Sequence, residues 1–395
     1  MTPTDGYRQR VAPATSRLNE LQAHLISQLD VDEGGFGWWS GYLDWRTRIM
    51  LSDYLIQSIA GTAESLVLAS LSAQDHAQDV HAENYAIKAI WSALDKQRSP
   101  SKPTPTDYLA AIPRDAHAER RSHRITASAE HCLFHLGQTL DRMAAAILIV
   151  GAIARHDVMS CDWGDIIKLQ EADWAKLAST TQTSGRKQRP ARGPLDVALV
   201  GLEGTPGGDM QRALIAATTH KGHGPDGWLP WLRETRNAMT HRSPAVKMQL
   251  MVDGRNMIRV FYRNPKWSEV QSFVFAERAG TARSRRFELA MRDQFIVRSS
   301  SDVLDGLCES MTSFVTAVVG ALTHCWDERR SHPEWLVQHA AQWPLALPRS
   351  TSAEFTGYGT EPRVHADTMA AAHPSGTRRW AAARIMDDRW RDWEQ

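Results

Sequence analysis

The sequence predicts a mostly α-helical protein: a helical bundle with extra N-terminal helices and a small antiparallel β insertion. Three observations carry that prediction. Ile125, Ala129, Cys132, Leu136, Leu140, Met143, Ile147, Gly151 and Ala154 form an almost unbroken apolar stripe at i+3/i+4 spacing. Val303, Leu307, Met311, Phe314, Val318 and Leu322 form a second. Two such stripes must be buried against partners, and further helices supply them most simply. Only the segment at about 247–298 departs from helical periodicity.

In chain order, Leu18, Leu21, Leu25 and Leu29 predict a first helix. The glycine-rich stretch DEGGFGWW breaks it. A longer pattern runs through Ile49, Leu55, Ile59, Leu66 and Leu71, and another helix is expected from about Val80 to Lys96. QRSPSKPTPTD, with three prolines, reads as a linker. After the long central stripe come a helix around Trp163 to Ser179, a basic loop and a shorter helix near residue 235. MQLMVDGRNMIRVFY then places a DG turn between apolar runs, and VQSFVFA alternates, which together predict the β insertion. Past Pro348 small and polar residues dominate, ending in a short terminal helix over TRRWAAARIMDDRWRDWEQ. The organisation expected is an N-terminal helical region at 1–96, a linker at 97–123, a bundle at 124–335 and a Trp-rich tail at 336–395.

With 395 residues and 42% hydrophobic content the chain is long and apolar enough for a sizeable core. Lys+Arg of 46 against Asp+Glu of 45 leaves a net charge of +1, so any anion site must be a local cluster. Cys132, Cys161, Cys308 and Cys325 lack CxxC or disulfide-framework spacing and read as reduced thiols of a cytoplasmic protein. The N-terminus MTPTDGYRQR lacks the apolar core of a signal peptide. The most apolar run, Met143 to Ala154, has 12 residues where a membrane span needs roughly 20, so a buried helix and no membrane association are expected. The 15 tryptophans are expected to be packing anchors.

Several motifs carry a chemical and a structural reading. GHGPDG fits GxGxxG, but a dinucleotide loop needs a strand before it, and QRALIAATTHK looks helical; a connector is the better reading. His131 and His135 stand at i and i+4, as metal ligands on a helix do, yet no glutamate of an HExxH pattern separates them. His131, His135, His76 and His81 are therefore expected to be core or surface histidines, with no metal site and no cofactor. SGRKQRPARGP holds Arg186, Lys187, Arg189 and Arg192 without an acidic residue, a loop suited to a polyanion such as RNA if it is more than a solvated face.

RETRNAMTHRSP, residues 233–244, is harder to dismiss. Leu229, Leu232, Arg236 and Met239 share one helical stripe, which puts a guanidinium on the inward side. Cations do suit the last turn of a helix, and Ser243-Pro244 then ends it, but that preference places them toward solvent. An inward arginine needs an anionic partner, from elsewhere in the chain or from a ligand. Arg236 and His241 are about 140° apart around an ideal helix, whereas Asn237 and His241 share a face. For Arg236 and His241 to act on one phosphate, the helix end must loosen or two copies must meet.

Arg236-Asn237-Ala-Met-Thr-His241 resembles the Arg-polar-x-x-x-His signature of HEPN domains, and the similarity extends over about residues 124–330. The resemblance implies an HEPN-like all-α bundle that dimerises, bringing two motifs to one cleft, and a metal-independent endoribonuclease serving as a toxin or anti-phage defence effector. The chemistry suits the side chains: the RNA 2′-OH attacks its own phosphodiester, His241 moves the proton, Arg236 neutralises the growing phosphate charge, and Asn237 positions substrate. Arg233 and Arg242 are expected on the RNA backbone, with Arg186 and Lys187 as further RNA contacts. An antitoxin or defence-system protein is the expected partner. The rival from another class is a non-catalytic HEPN-like module that binds RNA or protein, and a third reading makes Arg236 purely structural.

Overall fold

The computed structural model describes residues 6–30, 33–43, 45–96, 104–153, 162–172, 204–241, 246–252, 256–263, 295–335 and 357–360. Helices hold 79% of them, so the mostly α expectation stands. In order they are α1 (Gly6–Ser27), α2 (Trp45–Lys96), α3 (Pro105–Ala110), α4 (Ala116–Val150), α5 (Trp163–Glu171), α6 (Pro206–Ala217), α7 (Trp228–His241) and α8 (Ser300–Ser331). Strands β1 (Leu29–Asp30) and β2 (Gly35–Phe36) pair antiparallel across the glycine-rich break.

The expected β insertion is present as an antiparallel sheet of order β3-β4-β5, built from β3 (Val246–Val252), β4 (Asn256–Tyr262) and β5 (Phe295–Ile296). β3 and β4 pair antiparallel on either side of the Asp-Gly step of the sequence, with Leu250 opposite Ile258 and Met251 opposite Met257. VQSFVFA lies outside the described residues, as does most of the Trp-rich tail.

Two boundaries differ from the sequence reading. α2 is one helix of 52 residues where the periodicity suggests two. Between Leu71 and Val80 no glycine or proline breaks the backbone; the apolar stripe lapses only because buried polar groups, His76 and Asp79, take core positions. α4 begins at Ala116, inside the stretch read as linker, because the Asp115 carboxylate accepts the Ala118 backbone N–H at 2.8 Å and caps it. α5 carries a full capping box, Asp162 with Asp165.

The chain divides into two units. Unit one comprises Met1–Thr15, Glu64–Thr139 and His220–Phe314; unit two comprises Ser16–Ala63, Leu140–Thr219 and Val315–Gln395. α2, α4 and α8 each contribute a segment to both.

Unit one has a polar skeleton inside its apolar core. Arg259 of β4 forms a bidentate ion pair with Glu83 of α2 at 2.9 and 2.8 Å, and also donates to the Ser122 hydroxyl of α4 at 3.1 Å. The pair ties the sheet to two helices. His76, fully buried, donates from Nδ1 to the Ile125 carbonyl at 2.8 Å, so its Nε2 accepts the Ser300 hydroxyl at 2.7 Å. Burial holds this imidazole neutral, lowering its pKa to about 4. Cys132 and Cys308 pack sulfur to sulfur at 3.9 Å.

Unit two is built around aromatics. Phe36, Trp38, Trp39 and Trp326 meet edge to face, with centroids 4.6 to 5.7 Å apart. The expectation that tryptophans anchor packing holds for Trp39, Trp163 and Trp326, all buried. Arg329 is buried among them, donating to the Ile149 and Val150 carbonyls at 2.8 Å, where the negative end of α4 suits a cation. Its guanidinium lies over the Trp38 ring at 5.3 Å.

Three helices, over Thr47–Lys96, Ala116–Val150 and Ser300–Ser331, are long and apolar enough to cross a membrane. Their most apolar windows are 56%, 72% and 56% buried inside the protein, and Met143–Val150 is buried throughout, as the sequence suggests.

Candidate functional site

The motif helix α7 lies wholly in unit one. It starts after Gly227, whose φ of +76° is the left-handed turn that only glycine adopts freely. Trp228, Leu229, Leu232 and Thr235 are its buried face. Trp231 fixes it to the sheet: the indole N–H donates to the Tyr262 carbonyl at 3.0 Å, and the ring meets Phe261 edge-on at 5.5 Å.

Arg236 follows on the inward side and is half-buried, as the stripe predicts. Its side chain lies across Gly137 of α4. A Cβ built on Gly137 would stand 2.8 Å from both Cδ and Nε of Arg236, so α4 has a bare backbone at the point where the arginine crosses it. Two residues before Gly137 on α4, His135 Nδ1 donates to the Gln138 amide oxygen at 3.1 Å. Asn237 is exposed, next to Arg236 but turned to solvent, and Arg233 is half-buried one turn earlier.

The helix remains regular through His241. Positions 236 and 241 therefore keep their separation of about 140°, and the loosened helix end that would bring them together within one chain is not seen. The side chain of His241 lies outside what the structure describes, as do Arg242, Arg186 and Lys187.

The remaining motifs take structural places. GHGPDG connects α6 to α7 with no strand before it, so it is a connector, with Gly222 and Gly227 at positive φ. His131 and His81 are exposed, and among the described residues no three His, Cys, Asp or Glu side chains gather as a metal set. The Cys132 thiol is driven well up by its hydrogen bond with Cys308 and by burial, and burial raises Cys325 to about 12, so neither is a ready nucleophile.

Sequence reasoning overlooked a cleft of unit one that Trp228, Trp231, Arg263, Arg298 and Asp302 line. These residues are scattered over 75 positions of the chain, and only the glycine-rich turn at their edge was a local signal. Comparison with protein-family models, with curated proteins and with solved structures finds no match for this chain.

Proposed function

We propose that the protein is a metal-independent endoribonuclease with an HEPN-like bundle, acting in the cytoplasm as a toxin or anti-phage defence effector. One observation carries the reading: an arginine on the inward side of α7 lies across a helical glycine, five residues before the helix closes at His241. In this reading Arg236 stabilises the charge that develops on the scissile phosphate, His241 is general acid and base, and exposed Asn237 positions the strand. Arg233, Arg242, Arg186 and Lys187 hold the RNA backbone. Because one helix keeps positions 236 and 241 apart, the site is completed by two copies of the chain, Arg236 of one acting with His241 of the other. The attacking group is the RNA 2′-OH, so DNA is not cut. Buried ionisable groups within α2, among them His76 and Glu83, support an aqueous location over a membrane-spanning one.

The test is incubation of the purified protein with mixed tRNA and mRNA in EDTA. Cleavage that disappears in His241→Ala, with the thermal midpoint preserved, supports the enzyme. Intact RNA with retained binding replaces it with a non-catalytic RNA-binding module, and a His241→Ala protein that cuts at the parental rate removes the assigned acid–base.

A further inference from the structure

The cleft beside the start of α7 has a volume of about 940 Å³, at the upper end of the range that accommodates small ligands, roughly 300–1,000 Å³. Its walls are largely apolar, from Trp231 of α7 and Leu307 of α8. Trp231 is held in place: its indole N–H donates to the Tyr262 carbonyl and its ring forms an edge-to-face pair with Phe261. The connector is equally fixed, since Gly224 sits so close to Ser310 that a Cβ there would stand 2.4 Å from the hydroxyl oxygen.

The polar groups of the cleft are of both signs. Arg263 donates through Nε to the Phe295 carbonyl at 3.1 Å, which pins its stem. Arg298 is exposed and, among the described residues, reaches its own neighbour's carbonyl at 3.5 Å. Asp302 is exposed as well, and among the described residues neither guanidinium forms an ion pair with it. Opposite charges that line one cleft without neutralising each other suit a ligand that carries an anion at one place and hydrogen-bond donors at another. The fixed indole suits a flat body between them.

We propose that this cleft binds a nucleotide. The base lies against Trp231, the phosphate takes charge-assisted hydrogen bonds from Arg263 and Arg298, and the Asp302 carboxylate accepts from an amino or sugar hydroxyl group. The ligand chemistry is shared by a free mononucleotide and by one nucleotide of an RNA strand. The site stands on its own residues and does not depend on the nuclease reading.

Gly306 provides the sharpest test. It lines the cleft on α8, and a Cβ built there meets nothing within 4 Å, so a large side chain would enter the open space without disturbing the fold. The full-length chain is titrated calorimetrically with AMP, GMP, CMP and UMP, and with a 2′-O-methyl oligonucleotide that cannot be cleaved. Saturation by mononucleotides identifies a free nucleotide as the ligand; saturation by the oligonucleotide alone identifies an RNA strand. In either case Gly306→Phe abolishes binding, Gly306→Ala retains it, and Arg298→Ala weakens it about tenfold. Should Gly306→Phe fail to fold, Arg298→Ala and Asp302→Asn, both at exposed positions, decide the matter. Absence of binding by any nucleotide up to millimolar concentration overturns the proposal, as does binding that these variants leave unchanged.

Discussion

Among the described residues each unit has an arginine laid over a helical glycine, and the two crossings stand in different surroundings. In unit two Arg142 passes over Gly61, and its Nη1 donates to the Gly61 carbonyl, so the crossing closes on the backbone it crosses. In unit one Arg236 passes over Gly137 with Cδ and Nε against the glycine, and the chain then runs through exposed Asn237 to the helix end at His241. A shared packing device thus serves two settings. An arginine in an apolar stripe is not by itself the mark of a site; what distinguishes Arg236 is its place one turn from a helix terminus that carries an amide and an imidazole. Arg142 is the internal control for Arg236.

A third arginine sets the scale for a guanidinium with a known carboxylate. Glu83→Ala leaves Arg259 buried without its bidentate partner, and unfolding free energy should fall by roughly 3–5 kcal/mol in a urea titration. If Arg236 were held by the fold in the same way, its removal would cost comparable stability. On the nuclease reading Arg236→Ala also lowers RNA cleavage by about 10²–10³-fold per folded molecule, equivalent to roughly 2.7–4 kcal/mol of transition-state stabilisation. Arg142→Ala should lose stability and keep the cleavage rate per folded molecule. Equal effects of the two variants on stability, with none on cleavage, would make both arginines structural.

Acid separates the units further. His76 belongs to unit one and is neutral when folded, with a pKa near 4 against about 6.5 in the unfolded chain. Between these values the unfolded chain binds more protons, so stability falls as pH drops through 6.5 toward 4 and is complete above pH 7. The loss is on the order of 3 kcal/mol. Unfolding titrations at pH 7 and pH 4.5 should show a smaller acid loss in His76→Leu than in the parent. An identical slope would mean that the imidazole is not buried neutral.

How much of this was legible beforehand follows from the range of each interaction. The stripes of α4 and α8 could be read because helical periodicity is local, and the β3–β4 hairpin because a DG turn between apolar runs is local too. The length of α2 was not legible, since His76 and Asp79 interrupt the apolar pattern without interrupting the helix. Arg236 was recognisable as inward from its stripe, but its resting place required Gly137, ninety-nine positions earlier, and nothing in the sequence marks one helical glycine as the track of a distant arginine. The cleft was harder still. Arg263 and Arg298 flank the ends of the insertion, and neither has a local pattern that points to Trp231.

The smallest effect discriminates most finely between the two crossings. Gly137→Ala and Gly61→Ala each replace a helical glycine, which by itself favours the helix by about 0.5–1 kcal/mol. Each also brings a methyl within 2.8–3.1 Å of arginine atoms, which costs about as much unless the side chain yields. Net stability should therefore move by less than about 1 kcal/mol in both. The arginine that yields is the difference. Displacing Arg142 disturbs a hydrogen bond to a backbone carbonyl, whereas displacing Arg236 by a few tenths of an ångström moves the group assigned to the phosphate. Gly137→Ala should accordingly slow RNA cleavage about tenfold with the thermal midpoint nearly unchanged, and Gly61→Ala should leave the rate at the parental value. A Gly137→Ala protein that cleaves normally while Arg236→Ala does not would show that the guanidinium acts without the track that Gly137 provides, and the position of α4 would then be irrelevant to the chemistry.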